Sequence, residues 1–372
     1  MSTTTSIEWA DKSWSPLIGC DKVSPGCDHC YAITTARIRS NHPNPKIADA
    51  FAGTTERNED GIGWTGKVNL LESRLTEPLR WRKPSRVFVN SMSDLFHQDV
   101  PTEFIARVFA VMALAPQHSF QILTKRHARM RSVLQDRCAH GGRHQDGIDF
   151  RSQMAWAVSK ANPDRPAGLP DDAEHRVYFE TPWPLPNVWL GVSVEDQKWA
   201  DIRIPALLET PAAVRFLSCE PLLGPIDLWG PIVPGRGRPT LTYWLDGRPG
   251  WGPEQVGPTG LTFQEPARGP RIDWVIVGGE SGPGARAMDP NWARTIRDQC
   301  QASHVPFLYK QWGEWAPSGY VVIRNRPEPR SVLVGEPVDD LGHRVEMVRV
   351  GKKAAGRELD GRTWDEYPGG AR

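Results

Sequence analysis

Six short apolar runs recur along the chain, and each ends in polar or glycine residues. The runs span 86–94, 119–126, 187–196, 213–221, 272–282 and 305–313. Each has an apolar core of four to six residues, rich in Val, Ile, Leu, Phe and Trp. Continuous apolar runs of this length are typical of strands buried on both faces, as in a parallel sheet.

Helical patterns fill several gaps between these runs, at 101–115, 199–209 and 291–303. The alternation of strand and helix predicts βα units and an α/β fold. We expect a full or partial parallel βα barrel, with a doubly wound open sheet as the alternative. In both folds the chemistry belongs at the carboxyl ends of the strands.

Two long gaps interrupt the βα rhythm. Residues 138–186 are rich in His, Arg, Asp and Pro, and residues 230–271 are dense in Pro and Gly. We expect both to be insertions or lids within one barrel domain, 1–315. Residues 316–372 contain no clear βα unit and are predicted to form a C-terminal extension.

The overall composition limits the possible classes of partner. No run approaches the roughly 18 apolar residues of a membrane span. The N-terminal residues also lack the pattern of a secretory signal, in which a basic segment is followed by an apolar stretch. We therefore expect a cytoplasmic protein without a membrane partner. The net charge of +1 argues against a polybasic nucleic-acid coat, although a local basic groove is compatible with it.

Three of the six cysteines are clustered near the start of the chain. Cys20, Cys27 and Cys30 lie within the segment "GCDKVSPGCDHCYA", with the spacing CxxxxxxCxxC. Cys138, Cys219 and Cys300 are scattered. In a reducing cytosol such a cluster favours metal binding or catalysis over a disulfide framework.

The missing fourth cysteine separates two metal hypotheses. A four-iron four-sulfur cluster on three thiolates leaves one iron open for a chelating molecule, such as the amino and carboxylate groups of S-adenosylmethionine. A structural zinc needs a fourth ligand, for which His29, His42 or a distant residue is available. Three buried thiols without metal are the third alternative. We favour the iron–sulfur cluster.

The motifs also resemble a known family. The opening "IEWADKSWSPLIGCDKVSPGCDHCYA" and the segments "VFVNSMSDLFH", "QILTKRHARM", "RFLSCEPLLGPI" and "DWVIVGGESGPGAR" resemble an uncharacterised, phage-associated three-cysteine-motif family. That family is similar to a divergent branch of the radical S-adenosylmethionine superfamily, in which the usual spacing is CxxxCxxC. The first gap is longer here.

The resemblance implies an activity and its partners. It implies a radical enzyme that forms a 5′-deoxyadenosyl radical, with a nucleic acid or nucleotide as substrate and an electron donor such as flavodoxin or ferredoxin. The alternative is a zinc-stabilised, non-catalytic nucleic-acid-binding or phage accessory protein.

Candidate site residues follow the strand ends. The resemblance implies that Ser91 and Asp94 hold the cofactor's methionine part, although a helix cap is an alternative role. Lys125 and Arg126 are candidates to bind the carboxylate of the cofactor or a phosphate of the substrate.

Further candidates follow the later strands. Ser193, Glu195 and Glu220 are candidates to bind ribose hydroxyls or to orient the substrate. Cys219 is a candidate to donate a hydrogen atom to a substrate radical. The alternative is that it is a small apolar residue of the core. The glycine-rich exit at Gly278, Gly279 and Glu280 permits close approach of the cofactor, with a tight turn as the alternative.

Overall fold

The computed structural model describes most of the chain, in several stretches. The described residues are 5, 7–59, 61–135, 148–230, 232–234, 239–241, 243–247, 249–251, 255–256, 262–263, 266–320, 330–337 and 340–370. The chain divides into two compact units. The first comprises Met1–Ser193, Thr210–Val214 and Ser281–Ala285, and the second comprises Val194–Glu209, Arg215–Glu280 and Arg286–Arg372.

The first unit is built on four parallel strands. Its strands are β1 (Lys12–Trp14), β2 (Leu17–Ile18), β3 (Thr55–Asn58), β4 (Gly61–Trp64), β5 (Asn69–Leu70), β6 (Arg86–Val89), β7 (Ser119–Thr124) and β8 (Val188–Ser193). Strands β1, β6, β7 and β8 pair in parallel in that order. Strands β2 and β5, and β3 and β4, form short antiparallel pairs.

Helices connect and cover these strands. They are α1 (Tyr31–Ser40), α2 (Pro45–Ala48), α3 (Thr102–Ala113), α4 (His127–Leu134), α5 (Ile148–Val158) and α6 (Ala173–His175). Helix α3 is apolar on most sides, and nine of its twelve residues are buried. A helix that is apolar almost all round belongs in a core.

The described part of the segment 138–186 contains helices. Residues 136–147 lie outside the described part of the chain, but the rest contains α5 and α6. The ring of Phe150 on α5 meets Phe109 on α3 edge to face, with centroids 5.3 Å apart. Phe150, Met154 and Val158 are buried. The segment, which was predicted to be an insertion or a lid, therefore contributes a packed helix to the connection from β7 to β8.

The second unit carries three parallel strands and several antiparallel pairs. Its strands are β9 (Val214–Cys219), β10 (Ile232–Pro234), β11 (Pro239–Leu241), β12 (Pro249–Trp251), β13 (Gln255–Val256), β14 (Thr262–Phe263), β15 (Pro266–Arg268), β16 (Trp274–Gly278), β17 (Phe307–Gln311), β18 (Trp315–Pro317), β19 (Ser331–Val334) and β20 (Val345–Arg349). Its helices are α7 (Gln197–Leu208), α8 (Pro290–Ala302) and α9 (Lys352–Ala355). Strand β16 pairs in parallel with both β9 and β17.

The two less regular regions fall in this unit. The described parts of 230–271 include three short antiparallel pairs, β10 with β11, β12 with β15 and β13 with β14. The predicted extension 316–372 contributes to an antiparallel sheet in the order β18, β20, β19.

The parallel α/β architecture predicted from the sequence is confirmed. All six predicted strands and all three predicted helices are present. In the described residues seven strands pair in parallel, four of them in the first unit and three in the second. The seventh, β1, was missed. No described helix has the length and apolarity needed to cross a membrane.

Candidate functional site at a cysteine-lined cleft

The first cysteine follows a glycine whose backbone conformation and close contacts disfavour any side chain. Gly19 has a φ of +109°, and a Cβ there would lie 2.1 Å from the carbonyl oxygen of Lys67. Its N–H donates to the carbonyl of Met92 at 3.2 Å. This contact holds Cys20 beside the segment that follows β6.

The other two cysteines lie at the start of helix α1. Cys27 ends a 3₁₀ turn, Pro25–Cys27, and Cys30 is the residue before the first turn of α1. The Tyr31 hydroxyl donates to the carbonyl of Ser91 at 2.9 Å. The start of α1 is therefore tied to the carboxyl end of β6, as Cys20 is.

One cleft of about 160 Å³ brings the three cysteines together with the ends of β6, β7 and β8. We call it the cysteine cleft. Its lining includes Cys20, Cys27, Cys30, Phe88, Asn90, Ser91, Asp94, Leu123, Lys125, Arg126 and Ser193. All three cysteines thus meet in one place with five other residues proposed from the sequence, Ser91, Asp94, Lys125, Arg126 and Ser193.

The surroundings of Cys20 and Cys30 favour the protonated form of these two thiols. Burial, followed by the nearby Asp94 carboxylate, raises the pKa of Cys20 to about 12. Burial also raises the pKa of Cys30. Ligation of a metal requires thiolates, so metal binding here would release protons.

Asp94 links the ends of two neighbouring strands. Its carboxylate accepts hydrogen bonds from the Thr124 hydroxyl at 2.7 Å, from the Lys125 backbone N–H at 3.1 Å and from Arg126 Nη1 at 3.2 Å. Burial raises the pKa of Asp94, against the opposing effect of these hydrogen bonds. The carboxylate proposed to bind a cofactor ammonium is thus engaged with protein donors.

Arg126 connects this carboxylate to the cysteines. Its Nη1 donates to the Cys20 sulfur at 3.6 Å, and its Nη2 pairs with Asp21. The fully buried His97 places Nε2 3.3 Å from the same Asp21 carboxylate. Sequence reasoning missed Asp21 and His97, because neither follows an apolar run directly.

Lys125 and the two serines complete the polar lining. The Lys125 ammonium donates to Ser193 Oγ at 2.9 Å, which joins the ends of β7 and β8. Ser91 Oγ lies 2.8 Å from Ser13 Oγ. These groups place one cation and two hydroxyls at the carboxyl edge of the sheet.

The remaining candidates belong to the second unit, where packing accounts for several of them. A Cβ at Gly279 would lie 2.0 Å from the carbonyl oxygen of Trp312, and one at Gly278 would lie 2.5 Å from Glu220 Oε1. The backbone contact therefore requires glycine at 279, whereas the contact at 278 is with the end of a side chain that can move. Their proposed contact with a cofactor stays a prediction.

The acidic candidates of this unit each have a cationic partner. Glu195 and Arg203 are fully buried and pair at 2.9 Å. Glu280 pairs with Arg286 at 2.6 Å, and Glu220 pairs with Lys310 at 3.1 Å.

Cys219, the proposed hydrogen-atom donor, is completely buried in the second unit. Burial raises the pKa of its thiol well above the ordinary value. Its proposed role in catalysis also stays a prediction.

The ligand types present allow two kinds of metal centre. Within the described residues, no group of three or more His, Cys, Asp or Glu side chains is placed to hold a metal ion. The three thiols that line the cleft are of the type that iron–sulfur clusters use as ligands, and a structural zinc would need a fourth ligand beside them.

Fold and site together define an α/β protein with a thiol-lined cleft at the carboxyl ends of parallel strands. The chain belongs to a family described as proteins of unknown function (DUF5131), which matches residues 4–368. No curated protein matches the chain.

Among solved structures, a mutant of spore photoproduct lyase is similar at 11% identity, with a TM-score of 0.28. The match covers 62% of this chain and 49% of that chain, about half of its length. A likeness at this TM-score carries no argument about function.

Proposed function

We propose that the protein is an iron–sulfur enzyme of the radical S-adenosylmethionine type. Cys20, Cys27 and Cys30 hold a four-iron four-sulfur cluster. The observation that supports this most is that three thiols line one cleft, while the other described cysteines, Cys219 and Cys300, are buried in the second unit. Three thiolates leave one iron free for a chelating ligand.

The chain's own residues supply the binding groups for S-adenosylmethionine. Lys125 and Arg126 offer cations to its carboxylate, and Ser91 and Ser193 offer hydroxyls. The positions of these groups at the ends of β6, β7 and β8 fix the ligand against the cysteines. A cluster held there and reduced would supply one electron to the sulfonium of S-adenosylmethionine, so that its C5′–S bond would break to give methionine and a 5′-deoxyadenosyl radical.

The substrate class and the partners are part of the proposal. We propose a nucleic acid or nucleotide as the substrate and a flavodoxin or ferredoxin as the electron donor, in the cytoplasm and in association with phage. The near-zero net charge means that any nucleic-acid contact is local, and its salt dependence would count the phosphates involved.

The test is the formation of 5′-deoxyadenosine. Anaerobically purified, cluster-replete protein is reduced with dithionite in the presence of S-adenosylmethionine, and the products are followed by mass spectrometry. We expect slow release of 5′-deoxyadenosine and methionine by the wild type and by Cys300→Ala, but not by Cys27→Ala.

The control variants are matched because each removes one thiol. No product above the Cys27→Ala background, with protein that carries zinc in place of iron, would refute radical catalysis. It would favour the zinc-stabilised accessory protein.

A further inference from the structure

Two carboxamides buried in the first unit have no hydrogen-bond partner among the described residues. Gln121 on β7 is fully buried, and Asn90, which follows β6, is 3% exposed. Among the residues that the structure describes, neither the nitrogen nor the oxygen of either side-chain amide has a hydrogen-bond partner. Buried amides are nearly always paired, so two exceptions on neighbouring strands need an explanation.

The strand register places aromatic rings on both sides of Gln121. Gln121 lies opposite Phe88 on β6 and opposite Trp189 on β8. Residues in register on adjacent strands share a face of the sheet. The amide and the two aromatic side chains therefore form one row across that face.

This face leads to the cysteine cleft. Phe88 lines the cleft, and so does Leu123, which shares the face of Gln121 because it is two residues further along β7. Asn90 also lines the cleft. Asn90 therefore lines the same cleft as the three thiols, and Gln121 lies behind that lining, two residues before Leu123 on the same face of β7.

The backbone of Asn90 supports a binding role. Its φ is 62°, in the left-handed region, which asparagine adopts more often than most residues other than glycine. Its N–H donates to the carbonyl of Trp14 at 2.7 Å, which holds this conformation. Sparsely populated backbone conformations are concentrated at functional sites.

We propose that this amide-lined face is a nucleobase subsite of the cysteine cleft. A carboxamide presents a donor and an acceptor side by side, which matches the paired acceptor and donor on the edge of a base. Aromatic side chains beside it suit the face of a base. The inference rests on the proposed function, in which a nucleotide or S-adenosylmethionine enters this cleft.

Two ligands carry a base that fits this subsite: a nucleotide substrate, and S-adenosylmethionine through its adenine.

The experiment is calorimetric titration of anaerobically purified full-length protein, without reductant. The ligands are adenosine, guanosine, cytidine, uridine, thymidine and S-adenosylhomocysteine. The variants are Gln121→Met, which keeps the volume and removes the amide, and Asn90→Gly, which keeps the left-handed backbone. Gln117→Met, at an exposed amide on the same unit, is the matched control.

We expect saturable binding by the wild type and by Gln117→Met, weakened at least about tenfold in Gln121→Met and in Asn90→Gly. Without ligand, Gln121→Met should melt at the same temperature as the wild type or higher, because an unpaired buried amide has been removed. A role that is only structural would not give this combination.

Binding of adenosine and S-adenosylhomocysteine alone would assign the subsite to the cofactor's base, and binding of another nucleoside would assign it to the substrate. No binding to the wild type at millimolar nucleoside, or equal binding by Gln121→Met, would overturn the inference. Iron is measured in the same samples. Iron-free protein that binds nucleosides through Gln121 would retain this inference and refute the proposed cluster.

Discussion

The guanidinium of Arg126 donates a hydrogen bond to the sulfur of Cys20, with Nη1 and Sγ 3.6 Å apart. The same nitrogen lies 3.2 Å from Asp94 Oδ2. One cation therefore joins the first cysteine of the motif to the carboxyl end of β6. Hydrogen bonds to ligating sulfurs and nearby charge both set the reduction potential of an iron–sulfur cluster.

This contact predicts the electrochemical effect of Arg126→Gln. Loss of the positive charge and of the N–H···S bond should make the cluster harder to reduce, which lowers its midpoint potential by an amount on the order of tens of millivolts. Redox titration followed by electron paramagnetic resonance measures it. The control is Arg107→Gln, since Arg107 pairs with Glu72 away from the cysteines. Equal potentials in both variants would show that Arg126 does not contact the cluster.

The close contact at Gly19, the residue before Cys20, predicts that a side chain at this position lowers the stability of the protein. In Gly19→Ala the new Cβ would meet the Lys67 carbonyl oxygen, and the φ of +109° is unfavourable for alanine. We expect a loss of about 2–4 kcal/mol in the free energy of unfolding, measured by chemical denaturation.

The matched control for Gly19→Ala is Gly63→Ala, where the nearest atom to a Cβ is 3.8 Å away. This variant should lie within about 1 kcal/mol of the wild type. Equal stability of the two variants would argue against the close approach at Gly19.

The buried ion pair of Glu195 and Arg203 predicts that substitutions at these two positions have non-additive effects on the free energy of unfolding. Arg203→Met leaves the Glu195 carboxylate buried without Arg203, and we expect this to lower the free energy of unfolding by about 3–5 kcal/mol. The double variant Glu195→Met/Arg203→Met should recover most of that loss, because both charges are gone. If the double variant is as unstable as Arg203→Met, the pair does not explain why Glu195 is buried.

The parallel sheet could be predicted from sequence because its strands are continuous apolar runs. Such runs bury both faces and end abruptly at polar residues, as Val188–Ser193 does. Strand β1 was missed because it has only three residues, Lys-Ser-Trp, and no apolar run. Helix α5 was missed because the polar residues around it gave its segment the composition of a loop.

Part of the candidate site could be predicted for the same reason. Residues at the carboxyl ends of neighbouring parallel strands meet, which brought Ser91, Lys125 and Ser193 to the cysteines. The importance of Gln121 was not predictable, because a single amide inside an apolar run gains meaning only from the register and from its missing partners. The glycines at 278 and 279 were ambiguous, since bare backbone serves a ligand and internal packing equally well.

The measurement that tests the central claim most directly is the iron and acid-labile sulfide content of anaerobically purified protein. The account predicts about four of each per chain in the wild type and in Cys300→Ala. It predicts less than half of that in Cys20→Ala, in Cys27→Ala and in Cys30→Ala, because each loses one of three ligands. One zinc per wild-type chain without sulfide, or full iron in Cys20→Ala, would contradict it.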